Sequence, residues 1–215
     1  MPKRTHCAYC GCQLARLKPE DRTNDHVPPK GIFPASLAHS RVQRLTVPAC
    51  RSCHSAFSDD DATFRNILPL CGQVPPLLMR ELWDDAVMRG LSQKDGERRT
   101  KDLLRLMRPD ENGLTRIWPE ESPAFMRVLR RIVRALCWHH DVGWPVPDQS
   151  IHVERLRYLI PPGLIDELPG GQSAGGIFKW IFVSRPEDGE GAASVLMIFR
   201  DNVRFLGIVS PKSPQ

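Results

Sequence analysis

The sequence has no long apolar run. The longest uninterrupted one, Val195–Phe199, falls far short of the roughly 20 residues that cross a bilayer, so no membrane partner is expected. The start, Met1-Pro2-Lys3-Arg4, is basic but leads into polar residues and cysteines instead of the apolar stretch of a secretory leader; a cytoplasmic location is expected. No internal repeat and no low-complexity tract occurs, which excludes a repeat architecture. A strong excess of one charge is missing as well: 30 Lys+Arg against 25 Asp+Glu leave a net +5. That balance permits contact with nucleic acid without demanding it, because acidic clusters such as Asp59-Asp60-Asp61 sit among the arginines.

What is present fits a folded chain. With 215 residues, 41% hydrophobic and 26% charged, the composition is that of a globular protein of one or two domains. Proline is abundant, 20 residues, which implies many short, stopped elements. Cysteine numbers 7, and four of these fall into two C-x-x-C pairs, Cys7/Cys10 and Cys50/Cys53. A two-residue gap lets both thiolates of a pair meet one ion, and Gly11 permits the tight turn behind the first pair. Two pairs supply four soft ligands, a closed tetrahedral set suited to structural Zn²⁺. Redox or coincidental cysteines are the alternative; both pairs being intact favours zinc. Cys12, Cys71 and Cys137 have no such spacing and read as buried small hydrophobes.

Periodicity gives a coarse α+β plan. Residues 1–60 are poor in long periodic segments and read as a small lobe of short strands and loops that needs a metal staple; with the helix that follows, they make a first unit of residues 1–72. The remainder, 73–215, reads as a helical middle followed by an antiparallel C-terminal sheet. Asp59–Leu70, Leu77–Leu91 and Ser92–Met107 read as helices, with a break at Pro75-Pro76 and an end at Arg108-Pro109 and Asn112-Gly113. The clearest helix starts at an Ser122 cap with Pro123 in its first turn and runs to about His140. Phe125, Val128, Leu129, Ile132, Val133 and Leu136 form its apolar stripe, and Arg127, Arg130, Arg131 and Arg134 share the other face. That arginine face reads as solvated more readily than as a phosphate track. Ile177–Val183 and Ser194–Phe199 read as strands, and Asp201-Asn202 as a turn into Val203–Val209.

Between the cysteine pairs stands Asn24-Asp25-His26-Val27-Pro28-Pro29-Lys30, and His54 directly follows the second pair. Two zinc knuckles bracketing an Asp-His, with a His after the last Cys, resemble an HNH endonuclease of the ββα-metal superfamily. The Asp-His-Val-Pro-Pro-Lys string is similar to a subgroup of uncharacterised bacterial HNH proteins. The likeness covers roughly residues 7–61. It implies a ββα-metal lobe and a metal-dependent endonuclease that hydrolyses phosphodiester bonds in DNA, in phage biology or host defence. It places His26 on the general base, and Asp25 and His54 on ligands of a catalytic divalent metal such as Mg²⁺ or Mn²⁺. An imidazole with an ordinary pKa near 6.5 can accept the proton of an attacking water at neutral pH. A cation held by a carboxylate and an imidazole can stabilise the charge at phosphorus.

Two departures keep a second reading open, that of a zinc-stabilised nucleic-acid-binding or adaptor protein with a degenerate site. Leu45-Thr46-Val47 stands where such sequences carry an Asn, with Thr46 as the nearest substitute. One turn after His54 the chain offers Ser58, with Asp59 and Asp61 nearby; the three aspartates also read as an acidic helix start favoured by the macrodipole. DNA is the expected partner, with Lys30 and Arg51 as its first contacts, and a homodimer or a protein partner is the route left for target selection. His139-His140 suits a helix C-terminus as cations, His6 and His39 belong to no constellation, and Trp118, Trp138, Trp144 and Trp180 read as core or loop anchors.

Overall fold

The computed structural model describes residues 5–38, 44–72, 77–158, 160–161, 163, 167–200 and 202–211. Met1–Arg4, His39, Pro75-Pro76, Pro162 and Asp201 lie outside the described residues. The chain is mixed α+β, and the order of its elements follows from where prolines and caps stop each one.

Strand β1 (Arg22–Val27) pairs antiparallel with β2 (Leu45–Cys50), bringing Asp25 opposite Val47 and His26 opposite Thr46. Pro28, which has no N–H to give a ladder, follows the last residue of β1. A single turn, α1 (Ala35–Ala38), lies in the connection between the strands. The second strand runs without a gap into α2 (Arg51–Ser55), and α3 (Ser58–Ile67) follows after two residues. Asp59, Asp60 and Asp61 occupy the first turn of α3, where negative charge meets the positive end of the helix dipole.

The middle is helical. Leu77–Leu91 forms one run, but a π turn at Trp83–Val87 divides it into α4 (Leu77–Leu82) and α5 (Met88–Leu91). The expected Ser92–Met107 helix is shorter: α6 spans Gly96–Arg105. Gly96 packs so close to the preceding helix that a Cβ there would lie 1.6 Å from the Leu91 carbonyl oxygen, so the reversal over residues 92–95 requires glycine. Met107 belongs instead to β3 (Met107–Pro109), which pairs with β4 (Thr115–Ile117) around the expected polar turn.

Helix α7 (Pro123–His140) starts as read, with the Ser122 hydroxyl accepting from the Phe125 amide at 3.3 Å, and ends at Asp141 in the left-handed region. Five strands complete the chain: β5 (Ile151–Leu156), β6 (Gly170–Gln172), β7 (Phe178–Ser184), β8 (Ala193–Phe199) and β9 (Val203–Val209), in the antiparallel order β5-β9-β8-β7-β6. The apolar stripe of α7 packs on this sheet. Phe125 meets Phe205 with ring centroids 5.5 Å apart, and Phe64 of α3 meets Phe125 at 4.6 Å. A side chain at Gly207 would come within 2.6 Å of Val133, so the glycine in β9 is what lets the helix approach. Each fully buried Phe or Leu contributes about 1.5–3 kcal/mol of transfer free energy, and truncating Phe125 would cost about 3–5 kcal/mol. One apolar core joins Tyr9, Val27 and Val47 of the cysteine-rich part to α7 and to the sheet.

The arginine face of α7 departs from the solvated face expected of it. Arg127 donates two hydrogen bonds to Asp60, at 2.8 and 2.7 Å. Arg130 pairs with Asp148 at 2.9 Å. Arg131 is buried and pairs with Asp61, and Arg134 donates to the Tyr9 carbonyl. A guanidinium on a helix face has the same sequence pattern whether it meets water or a carboxylate from elsewhere; here α3, Asp148 and the first knuckle supply the partners.

No helix among the described residues is long and apolar enough to cross a membrane.

Candidate metal centre

The cysteine pairs come together because the turn after His6 brings Cys7 and Cys10 beside the β2–α2 junction that carries Cys50 and Cys53. The Ala8 amide donates to the Pro48 carbonyl at 2.8 Å, and Trp144 donates from its indole to the Ala8 carbonyl at 2.8 Å. The four sulfurs lie within 4.8 Å of one another, with Cys10 Sγ and Cys50 Sγ 3.9 Å apart. Around a tetrahedral ion with Zn–S bonds of about 2.3 Å, sulfurs stand about 3.8 Å apart, so the set could hold a zinc ion. A hydrogen bond from Cys53 holds the Cys7 thiol down at about 4, and the same bond, then burial, pushes Cys53 up. A divalent cation bound among them would let all four thiols ionise. Cys71 and Cys137 are buried as read. Cys12 is a correction: it is half-buried beside the cluster, and burial together with Cys10 pushes its thiol up to about 12.

A second group of polar side chains adjoins the cluster. Asp25 faces inward from β1, 3% exposed, and its Oδ1 lies 3.8 Å from His54 Nε2 of α2. That is too long for a hydrogen bond and short enough for both atoms to touch one cation with bonds of about 2.1 Å. His54 is half-exposed, so the pair opens to solvent on its side. The other oxygen of Asp25 accepts from the Tyr9 hydroxyl at 2.5 Å and lies 3.7 Å from Arg131 Nε. Burial, with Asp25 adding to it, raises the Tyr9 phenol well above its ordinary range, so it stays a donor. Asp61 joins the group through Arg131, and burial lifts its carboxyl to about 6 against the pull of that arginine. Asp60 is taken by Arg127, and Asp59 stays exposed.

His26, next along β1, is half-buried. Burial first, then the charge of Arg44, pulls it below the ordinary histidine range, while Asp25 opposes; it is therefore a neutral base at pH 7. Lys30 and His54 also lie within its electrostatic reach. Its Nδ1 is buried without a hydrogen-bond partner among the described residues, and the opposing Thr46 is exposed. Of the two residues expected to touch nucleic acid, Lys30 is exposed at the start of a 3-10 turn. Arg51 is exposed too, but donates to the Glu20 carbonyl at 2.7 Å. A cleft of about 650 Å³ between α3, α6 and the start of α7 is lined by Asp59, Asp60, Arg98 and Arg99 and includes none of Asp25, His26 or His54.

Tyr9, Arg44, Phe57 and Arg131 escaped sequence reasoning. Tyr9 lies inside the first knuckle, where it looks like a spacer. Arg131 is one of four arginines on a helix, and only its place at the edge of the apolar stripe distinguishes it. His139-His140 reads differently too: burial and then His139 lower His140 to about 4, so it is neutral, stacked on Phe182 at 4.3 Å and accepting from Trp180 Nε1 at 3.1 Å.

No family model, no curated protein and no solved structure matches the chain.

Proposed function

We propose that the protein is a metal-dependent endonuclease of the HNH type, with a ββα-metal lobe, that hydrolyses phosphodiester bonds in DNA. The observation that carries this reading is the 3.8 Å approach of Asp25 Oδ1 and His54 Nε2, with His26 one residue from Asp25 and β1, β2 and α2 following one another around the four cysteines.

In this reading Cys7, Cys10, Cys50 and Cys53 hold structural Zn²⁺, and Asp25 and His54 hold Mg²⁺ or Mn²⁺. When bound, the catalytic cation supplies positive charge for the oxygens of the phosphodiester. His26, neutral because burial and Arg44 depress its proton affinity, takes the proton from the attacking water. The water oxygen forms the new P–O bond as the bond from phosphorus to the ester oxygen breaks, and the departing oxygen takes a proton from solvent. Lys30 and Arg44, both felt by His26, attract the phosphate toward the base. Buried Asp25 is fixed by Tyr9 and Arg131.

A second reading, a zinc-stabilised nucleic-acid-binding or adaptor protein, draws on a specific observation. Among the described residues His26 Nδ1 has no hydrogen-bond partner, so none of them fixes the imidazole by the bond that usually orients a catalytic histidine. Incubation of supercoiled plasmid with purified protein and Mg²⁺ or Mn²⁺ separates the two. Nicking that disappears in His26→Ala, while fold and zinc content persist, supports the nuclease; intact plasmid with retained DNA binding supports the adaptor.

A further inference from the structure

We infer that α7 belongs to the metal-binding apparatus: Arg131 is a positioning residue that, with Tyr9, fixes which oxygen of Asp25 faces His54. This rests on the nuclease reading, since it takes Asp25 and His54 as ligands of one divalent cation.

Arg131 comes from far along the chain and is only 2% exposed. Its guanidinium lies over the Phe57 ring at 4.5 Å and is pinned through Nη2 by Asp61. Held there, its Nε stands 3.7 Å from Asp25 Oδ2, the oxygen that also accepts from Tyr9 at 2.5 Å. A lone carboxylate can rotate and exchange its oxygens. With two partners gathered on Oδ2, Oδ1 is left toward His54 Nε2 and the solvent-facing side. Arg134 of the same helix donates to the Tyr9 carbonyl, so α7 holds both groups that hold Asp25.

Packing alone does not account for the arginine. A buried guanidinium carries a desolvation cost that an apolar side chain of similar volume avoids, and Arg131 Nη1 is buried without a partner among the described residues. Its position suits a different task, that of orienting a metal-binding carboxylate, where outer partners matter nearly as much as the ligands.

The test uses the zinc-loaded protein and Mn²⁺ as the probe, with free Mn²⁺ measured by electron paramagnetic resonance. Arg131→Lys keeps the charge and loses the planar fork. It should weaken Mn²⁺ binding about 10- to 100-fold with zinc content and thermal unfolding close to wild type. The KM for Mn²⁺ in plasmid nicking should rise by a similar factor, while kcat at saturating metal stays close to wild type. A folded Arg131→Lys with lowered thermal stability and unchanged Mn²⁺ affinity overturns the inference. If that variant does not fold, Tyr9→Phe decides: binding within twofold of wild type overturns it, and a clear loss supports it. Should wild-type protein hold zinc and bind no Mn²⁺, the nuclease reading falls and takes the inference with it. Should Asp25→Asn abolish Mn²⁺ binding while Arg131→Lys and Tyr9→Phe leave it intact, only the positioning role falls.

Discussion

Arg127 grips the Asp60 carboxylate with two parallel hydrogen bonds, joining α7 to the first turn of α3. Planar two-point pairing is the strong form of this contact, and the Asp60 side chain is only 10% exposed. Arg127→Ala should therefore lower stability by about 1–3 kcal/mol, the cost of leaving a buried acceptor unpaired. A denaturant titration checks this. Adding Asp60→Asn should cost little more, because the pair acts as a unit. The salt dependence of DNA binding should stay unchanged, since Arg127 is occupied within the chain.

Metal analysis should find one zinc per chain, with Cys50→Ser losing it. Structural zinc in small modules contributes on the order of 10 kcal/mol, so chelation should melt the region that includes β1, β2 and α2 while leaving the five-stranded sheet. Hydrogen exchange would resolve the two parts. A stable, metal-free protein with full protection in β1 and β2 would remove the zinc assignment.

His54→Ala should cut plasmid nicking through weaker cation binding, so raising Mn²⁺ should restore part of the rate. A loss that no metal concentration relieves would assign His54 a different task from ligation.

Lys30 and Arg51 are both exposed, Lys30 four residues after His26 and Arg51 three before His54. If each neutralises one phosphate, replacing either with alanine should flatten the slope of log affinity against log salt by about one unit and act alike on all sequences. Gel shifts over a salt series measure it, and wild-type slopes would clear both residues.

His140 makes stability depend on pH. Its folded value, about 4, lies below the ordinary 6.5 because burial, followed by His139, disfavours the cation. The unfolded chain therefore binds the proton first as pH falls. The stabilising contribution is complete above about 6.5 and is lost as pH drops toward 4, where protonation also removes the acceptor for Trp180. In His140→Gln the fall in melting temperature across that window should be smaller.

The legible parts of the molecule are those with local signatures. The Ser122 cap, the stripe from Phe125 to Leu136 and the Val203–Val209 strand follow from spacing alone, as does the convergence of the two cysteine pairs. Strand β5 has Ile151 and Val153 alternating with polar residues, but the pattern is too short to mark a strand until it pairs with β9. The shortening of α6 was invisible as well, for nothing local says that Leu91 will crowd Gly96.

By itself the sequence determined the α+β class, the cysteine quartet that could hold a metal and the adjacency of Asp25 and His26, all of which depend on residue type at short, regular separations. Only the tertiary structure decided that Asp25 meets His54, that Tyr9 and Arg131 share one oxygen of that aspartate, and that an arginine-rich helix face turns inward onto Asp60 and Asp61. These contacts join distant segments, and their partners are selected by how α7 packs between the sheet and α3. A helix period specifies which side chains share a face, but the neighbour that the face meets is set by the whole core.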